Sequence, residues 1–261
     1  MATYKKRGNK AKKPKLDVSY LEDTQFDGES TTQEVFDSLD ETASKSEKWL
    51  EENAKIIYTV LGVFLIGILA FFAFNKFVQE PKEVKAANHL AFSKALFNDA
   101  EQALKSQDSL YNIALNGADN NYGLIEIASK YSGTKAGNLA NYMAGMAFLK
   151  TNEYDKAISY LDKFSSEDAV LEPMAKGKIG DAFADLNQLE DAFIYYKKAA
   201  TMRENSFSTP LHLFKAANTA LDLGKFDEAL TMFESIKTSY PKSEEAKEIE
   251  LYINRAKYAS K

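Results

Sequence analysis

NYMAGMAFLKTNEYDKAISYLDKF, residues 141–164, recurs twice further along the chain in diverged form. Aligned on an alanine, the second copy is KGKIGDAFADLNQLEDAFIYYKKA at 176–199, and the third is LFKAANTALDLGKFDEALTMFESI at 213–236. The aligned alanines, spaced by 35 and 37 residues, are Ala157, Ala192 and Ala229. A repeat of this period predicts a helical solenoid in which each unit buries its apolar face against its neighbours.

Small residues occupy one position in the first predicted helix of every unit, where they would let two helix backbones approach closely. These residues are Gly145, Gly180 and Ala217, and we expect them to face the aligned alanines of the second helix. Larger apolar residues are expected to fill the space around this contact and to reach the next unit: Phe148, Tyr154, Leu161, Phe183, Leu189, Tyr196, Phe226 and Phe233. The pattern therefore predicts paired helices held together by close packing.

Turn-forming residues fall at corresponding places in the three units. Asn152, Asn187 and Gly224 suit a tight link between the two helices of a unit. Prolines stand between units, where a proline ends one helix or starts the next: Pro173, Pro210 and Pro241. We expect Thr209 to cap the helix that contains Pro210.

This pattern resembles the tetratricopeptide repeat, a helix–turn–helix unit of about 34 residues. The resemblance covers residues 138–241 and implies three such repeats in an all-α solenoid. Residues 82–137 would then form a divergent helical part of the repeat domain, with an insertion around 106–121. Residues 242–261 would form a polar capping helix, which a stack needs because its last repeat has an exposed face.

In this family the first helices of the repeats line a concave surface that receives extended peptides or partner helices. The corresponding positions here are Leu139, Tyr142, Met146, Leu149, Lys150, Met174, Gly177, Asp181, Ala184, Asp185, Leu211, Phe214, Asn218, Leu221 and Asp222. The resemblance thus predicts an apolar groove with an acidic side, suited to an apolar stretch of polypeptide that carries basic residues. The alternative is that several of these apolar residues belong to the core, as stripes on helices usually do.

A second strong feature is the run IIYTVLGVFLIGILAFFAFN, residues 56–75, which contains no charged residue and lies between Lys55 and Lys76. At about 1.5 Å per helical residue, such a run matches the thickness of a bilayer's hydrocarbon core, about 30 Å. It begins far from the N-terminus, which disfavours a cleaved signal peptide. The sequence therefore predicts a single transmembrane helix over residues 56–78, followed by the α-solenoid.

The segment before this run divides into two parts. Residues 1–30 are predicted to be a disordered charged tail, because seven basic residues precede Asp17 and acidic residues then dominate. Residues 31–55 are predicted to form an amphipathic juxtamembrane helix, which starts with the capping-box spacing of Thr31 and Glu34. The basic cluster could bind anionic lipid, rRNA or another acidic partner, or could be a solvated tail that keeps the N-terminus in the cytoplasm.

The residue types that carry most enzyme chemistry are scarce. The chain contains no cysteine and two histidines, His89 and His212, about 120 residues apart on predicted helices. It contains no P-loop, no G-x-G-x-x-G and no G-x-S-x-G motif. We therefore expect no enzymatic activity, no cofactor, no metal site and no nucleic-acid binding, and we expect both histidines to be structural or solvent-facing.

Taken together, a lysine-rich tail, one anchor and a C-terminal repeat domain resemble the bacterial ancillary subunits of the SecYEG translocon. This resemblance implies an inner-membrane protein whose partners are the translocon, membrane chaperones or unfolded secretory chains. The ten Lys and Arg of the short N-terminal segment place that segment in the cytoplasm and the repeat domain in the periplasm. The alternatives are a self-associating scaffold of an envelope complex and a membrane adaptor that faces the cytosol.

Overall fold

The computed structural model describes the backbone of residues 31–259, and the side chains of residue 44 and of residues 47–259. The expectations for residues 1–30, including the basic cluster, lie outside the described residues. The helices are α1 Thr31–Phe74, α2 Glu80–Gln102, α3 Gln107–Asn116, α4 Leu124–Lys130, α5 Lys135–Lys150, α6 Tyr154–Lys163, α7 Leu171–Asp185, α8 Leu189–Thr201, α9 Ser208–Asp222, α10 Phe226–Ser239 and α11 Ile249–Ala259. One hairpin pairs β1, Gly117–Ala118, with β2, Asn121–Tyr122. The prediction of an all-α solenoid is confirmed.

The chain divides into two units, and the first ends at Ile68. Its α1 runs without a break through the predicted boundary at residue 55. Large apolar side chains of α1 are mostly exposed, and Val63, Phe64 and Ile66 each keep 66% of their surface accessible. Within the described residues, one helix is long and apolar enough to cross a membrane.

The second unit begins at Leu69, near the end of α1. Between α1 and α2 the helix widens into a π-turn, Asn75–Gln79, in which the Glu80 amide donates to the Asn75 carbonyl. Pro81 follows and has no amide to donate, so the regular bond to the preceding turn cannot form. Such a π-turn absorbs the irregularity within a continuing helix.

Residues 80–130 form a small helical layer that packs on α5. Its core includes Tyr111, Leu115, Leu124 and Ile127, all almost fully buried. The stretch around 106–121, expected to be an insertion, contains α3 and the hairpin, and α3 contributes Tyr111 and Leu115 to the core. The hairpin turns through Asp119 and Asn120, whose φ values of 52° and 63° suit a two-residue turn between antiparallel strands.

Three helix pairs, α5–α6, α7–α8 and α9–α10, follow with corresponding turns. Asn152, Asn187 and Gly224 have φ values of 60°, 58° and 74°, the left-handed conformation that ends many helices. In each turn the next amide donates to a carbonyl five residues earlier, at 2.8 Å, as in Glu153 to Phe148. The sequence prediction of tight turns at these three residues is correct.

The glycines of the first two repeats make close contacts with the second helix of their unit. A methyl group on Gly145 would lie 2.5 Å from Leu161 Cγ, and one on Gly180 would lie 2.6 Å from Tyr196. The atoms nearest to the added methyl groups therefore belong to residues one helical turn beyond the aligned alanines. The aligned alanines themselves are fully buried. Leu161 also packs forward onto Ile179 of the next pair, as expected.

Aromatic pairs repeat in the first two units and are lost in the third. Phe148 and Tyr160 have ring centroids 5.4 Å apart, and the corresponding Phe183 and Tyr195 are 5.3 Å apart. The third unit has Ala220 and Met232 at these places, both buried. Its core is completed by Phe233, which contacts Phe214 and Tyr252.

The start of the third unit differs from the expected capping by Thr209. Thr209 lies inside α9 and is buried, and the Asn205 side chain instead accepts the amides of Phe207 and Ser208. After α10, a 3₁₀ turn, Glu244–Ala246, precedes α11. One face of α11 packs on α10 through Ile249 and Ile253, so this helix closes the apolar end of the stack.

Candidate protein-binding surface

The predicted groove residues of α5 are only partly covered. Leu139, Tyr142, Met146 and Leu149 are half-buried, and all pack on the core beneath them. The ring centroids of Tyr142 and Phe164 are 5.0 Å apart. Burial raises the pKa of the Tyr142 hydroxyl. Lys150 is exposed. Each of these apolar side chains thus packs against the core on one side and is accessible to solvent on the other.

The predicted groove residues of α7 fall into three environments. Met174 and Ala184 are half-buried, and Asp185 is exposed. Gly177 is buried beneath the His212 ring, and a methyl group at this position would lie only 2.1 Å from that ring. Gly177 therefore forms a close helix contact between α7 and α9 and offers no surface to a ligand.

Asp181 is committed to ion pairs and is not a free acidic group of the groove. Its carboxylate lies 2.6 Å from Lys215 Nζ and 3.0 Å from Lys178 Nζ, and it accepts the Tyr196 hydroxyl at 2.9 Å. Burial alone raises the pKa of Asp181, but the hydrogen bond and charge of Lys215, together with Lys178, hold it below its usual value. Of the two predicted acidic residues of α7, Asp181 is thus neutralised within the fold, whereas Asp185 remains exposed.

Lys178 and Lys215 are surface residues that the sequence analysis missed. Each is about one-third exposed, and each lies one position C-terminal to a predicted groove residue, Gly177 or Phe214. The spacing of Lys178 and Asp181, three residues apart on a helix, is a signal that could have revealed the first pair.

His212 is a buried histidine without a hydrogen-bond partner among the described residues. Only 2% of its surface is exposed, and neither ring nitrogen has a partner there. Burial, aided by the positive charge of Lys215, lowers the pKa of His212 to about 4, although Asp181 acts in the opposite direction. The ring is therefore neutral at ordinary pH and fills the space beside Gly177 as a packing residue.

The predicted groove residues of α9 divide between core and surface. Leu221 is buried in the core, and the Asn218 amide donates to the Phe214 carbonyl of its own helix at 2.8 Å. Asp222 is exposed. Leu211 and Phe214 line a surface cavity of about 400 Å³, together with Glu244, Glu245, Lys247, Glu248 and Tyr252.

A larger cavity, about 750 Å³, lies elsewhere, between the α4–α5 turn and the end of α6. Its lining is mainly polar, and Asn138 is already bonded through both side-chain atoms to Ser165. Among the predicted groove residues, none lines it. The smaller cavity beside Phe214 is therefore the better candidate for binding polypeptide.

Comparison with known proteins agrees with the repeat pattern. Residues 142–207 and 213–243 match family profiles described as tetratricopeptide repeat. No curated protein matches the chain at the threshold of the comparison. A similar solved structure is a crystal structure of nearly identical TPR-like repeats assigned to a kinesin light chain of Podospora anserina. It is 12% identical, covers 66% of this chain and 87% of its own, and has a TM-score of 0.49.

Tetratricopeptide repeats are typically scaffolds for protein–protein interaction and not catalysts. The profile matches fall on the helix pairs α5–α6, α7–α8 and α9–α10. The chain therefore contains tetratricopeptide repeats, and these indicate a protein that binds other proteins.

Proposed function

We propose that this is a single-pass protein of the bacterial inner membrane whose repeat domain lies in the periplasm and binds secretory or envelope polypeptides near the Sec translocon. Residues 56–78 serve as the transmembrane anchor, and the N-terminal segment lies in the cytoplasm. The repeat domain acts by binding, without catalysis or a cofactor.

The observation that carries the proposal is the exposure of the apolar side chains of α1. A soluble protein rarely exposes apolar patches of this extent, whereas a bilayer covers them at a gain of about 25 cal/mol per Å². The exposed apolar surface continues past residue 75 to Phe77 and Val78, which supports an anchor that ends near residue 78. Lys76 pairs with Glu80 at 2.8 Å, and a lysine near the end of an anchor can extend its charge to the membrane interface.

The surface of the first helices supports the binding role. Apolar side chains such as Tyr142 on α5 and Phe214 on α9 are only half-buried, although both pack on the core, so a bound polypeptide would bury the remainder. Such a surface suits extended or helical segments, which present a row of apolar side chains.

Site-specific photo-crosslinking in living cells tests this function. A photoreactive amino acid at Asp185, exposed on α7, would report on the proposed surface, and the matched control is Ser159, exposed on the second helix α6. We expect adducts with secreted or envelope proteins from position 185 and few from position 159. Equal adducts from both positions would contradict the proposal, and adducts only between copies of the chain would favour the self-associating scaffold.

A further inference from the structure

The cavity at the C-terminal end of the repeats has an apolar floor. Leu211 and Phe214 of α9 form one side and Tyr252 of α11 forms the other, with the Phe214 and Tyr252 rings 4.7 Å apart in an edge arrangement. All three side chains are half-buried. Its volume, about 400 Å³, falls in the range of about 300–1,000 Å³ that is usual for binding sites. One or two large apolar side chains would fit.

The rim of this cavity is acidic. Glu244, Glu245 and Glu248 line it, with Lys247 as the one cation among its lining residues. Lys247 pairs with Glu244. Glu245 and Glu248 have no ion-pair partner within residues 47–259, so two negative charges at the rim remain uncompensated.

Charge decides which kind of segment the cavity favours. A wholly apolar segment would cover Glu245 and Glu248 without compensating their charges, which costs free energy. An acidic segment would be repelled. A segment that carries Lys or Arg beside its apolar side chain would bury the floor and pair with the rim together.

The Tyr252 side chain adds a polar group to the lining of the cavity. It has no hydrogen-bond partner among the described residues, while its ring is fixed by Phe214 and by Phe233 at 5.5 Å. A phenol held in this way can donate to a backbone carbonyl of a bound chain. The site thus combines an apolar anchor point, a negative rim and a fixed donor.

We propose that the cavity between α9 and α11 binds a short polypeptide segment in which one or two large apolar side chains are flanked by Lys or Arg. This inference rests on the proposed function, because it specifies which segments of its polypeptide partners the repeat domain selects. The C-terminal helix α11 is then part of the binding site as well as the cover of the stack.

Fluorescence anisotropy with the full-length chain in detergent tests the inference. The probe is a labelled peptide with the core Lys-Lys-Phe-Leu-Lys-Lys, compared with one in which glutamate replaces every lysine and one in which glycine replaces Phe and Leu. We expect only the first peptide to bind, and we expect salt to weaken its binding. Equal binding of the glutamate peptide would overturn the charge selection.

The double variant Glu245→Lys and Glu248→Lys reverses the rim charges. It should bind the basic peptide about tenfold more weakly, because each of the two lost ion pairs would contribute about 0.7 kcal/mol to the binding free energy. The matched control is Glu167→Lys with Glu204→Lys, the same change in net charge at exposed loop residues away from the cavity. We expect the control to bind like the natural protein, and an equal loss in both would contradict a local site.

The crosslinks from position 185 show whether the repeat domain binds polypeptides at all, so a wrong binding site can be distinguished from a wrong proposed function. If those crosslinks form but peptide binding ignores the rim variant, the cavity is not the selective site, although the domain binds polypeptides. If neither is observed, both proposals fail. A photoreactive residue at Leu211 that yields mainly adducts between two copies of the chain would identify a second copy as the occupant and overturn the inference.

Discussion

Burial of His212 connects the stability of the repeats to pH. Its ring lies against Gly177, and the charged groups that face it are Lys215, Asp181 and Lys178. Because burial lowers the pKa of His212 to about 4, against 6.5 for an unperturbed histidine, the folded protein holds this ring neutral. Between these values the unfolded chain binds a proton that the folded chain does not.

The free energy of unfolding should therefore fall as pH falls from about 6.5 to about 4, by about 3 kcal/mol from this residue. His212→Leu removes the titrating group and should reduce the pH dependence by that amount. Urea unfolding of the full chain in detergent, followed by circular dichroism, measures both.

At about pH 7.5 both proteins are uncharged at position 212, which provides the internal control. There His212→Leu should leave the free energy of unfolding unchanged or raise it, because it removes two buried ring nitrogens that lack partners within residues 47–259. A variant that keeps the full pH dependence between pH 6.5 and 4 would show that His212 does not cause it.

Residues with a local role could be predicted from the sequence, whereas residues with a role between helices could not. Asn152 and Gly224 were predicted as turn residues because the left-handed conformation depends on their own chemistry. Gly145 was expected to face Ala157, but that the atoms nearest to an added methyl group would be those of Leu161 was not predicted. The repeat period fixes which residues correspond, but the angle and offset of two packed helices depend on every side chain between them.

At the scale of elements, Asp181 connects three helices of neighbouring repeats. It lies on α7, accepts the Tyr196 hydroxyl of α8 and pairs with Lys215 of α9. Only 21% of its side chain is exposed, so these contacts are less screened than those of surface pairs. The packing of α7 against α9 is therefore stabilised in part by the carboxylate of Asp181.

Asp181→Asn should destabilise the protein by about 1–2 kcal/mol, because the amide keeps an acceptor for Tyr196 but leaves Lys178 and Lys215 without a counter-charge. The matched control is Asp185→Asn, which lies one turn further on α7 and is exposed. We expect the control to change the free energy of unfolding by less than about 0.5 kcal/mol. Equal effects of the two substitutions in urea unfolding would show that the Asp181 contacts add nothing to stability.

Predictability also varied among the elements. The helix pairs of the repeats were predicted because their apolar residues recur in three copies. In contrast, no helix was assigned within the expected insertion that contains α3, since its ten residues occur once and no second copy supports a helix there. Its two large core residues, Tyr111 and Leu115, lie four apart on one face, which is the signal that was available.

At the scale of the whole molecule, the sequence predicted the kind of fold and the kind of function, while the binding surface required the structure. Asp181 and Gly177 were expected in the groove and are engaged within the fold. The cavity beside Phe214 could not be predicted, since it depends on Tyr252 and on where α11 lies against α10.

We propose that the protein spans the membrane once, with its repeats outside the cytoplasm, and paired cysteine labelling tests this topology. The chain has no cysteine of its own, so Ser44→Cys and Ser159→Cys each introduce a single thiol at an exposed position on either side of the apolar run. A membrane-impermeant maleimide is added to intact cells whose outer membrane has been permeabilised. We predict labelling of the cysteine at 159 without lysis and of the cysteine at 44 only after lysis. The reverse pattern would contradict the account and place the repeat domain in the cytosol.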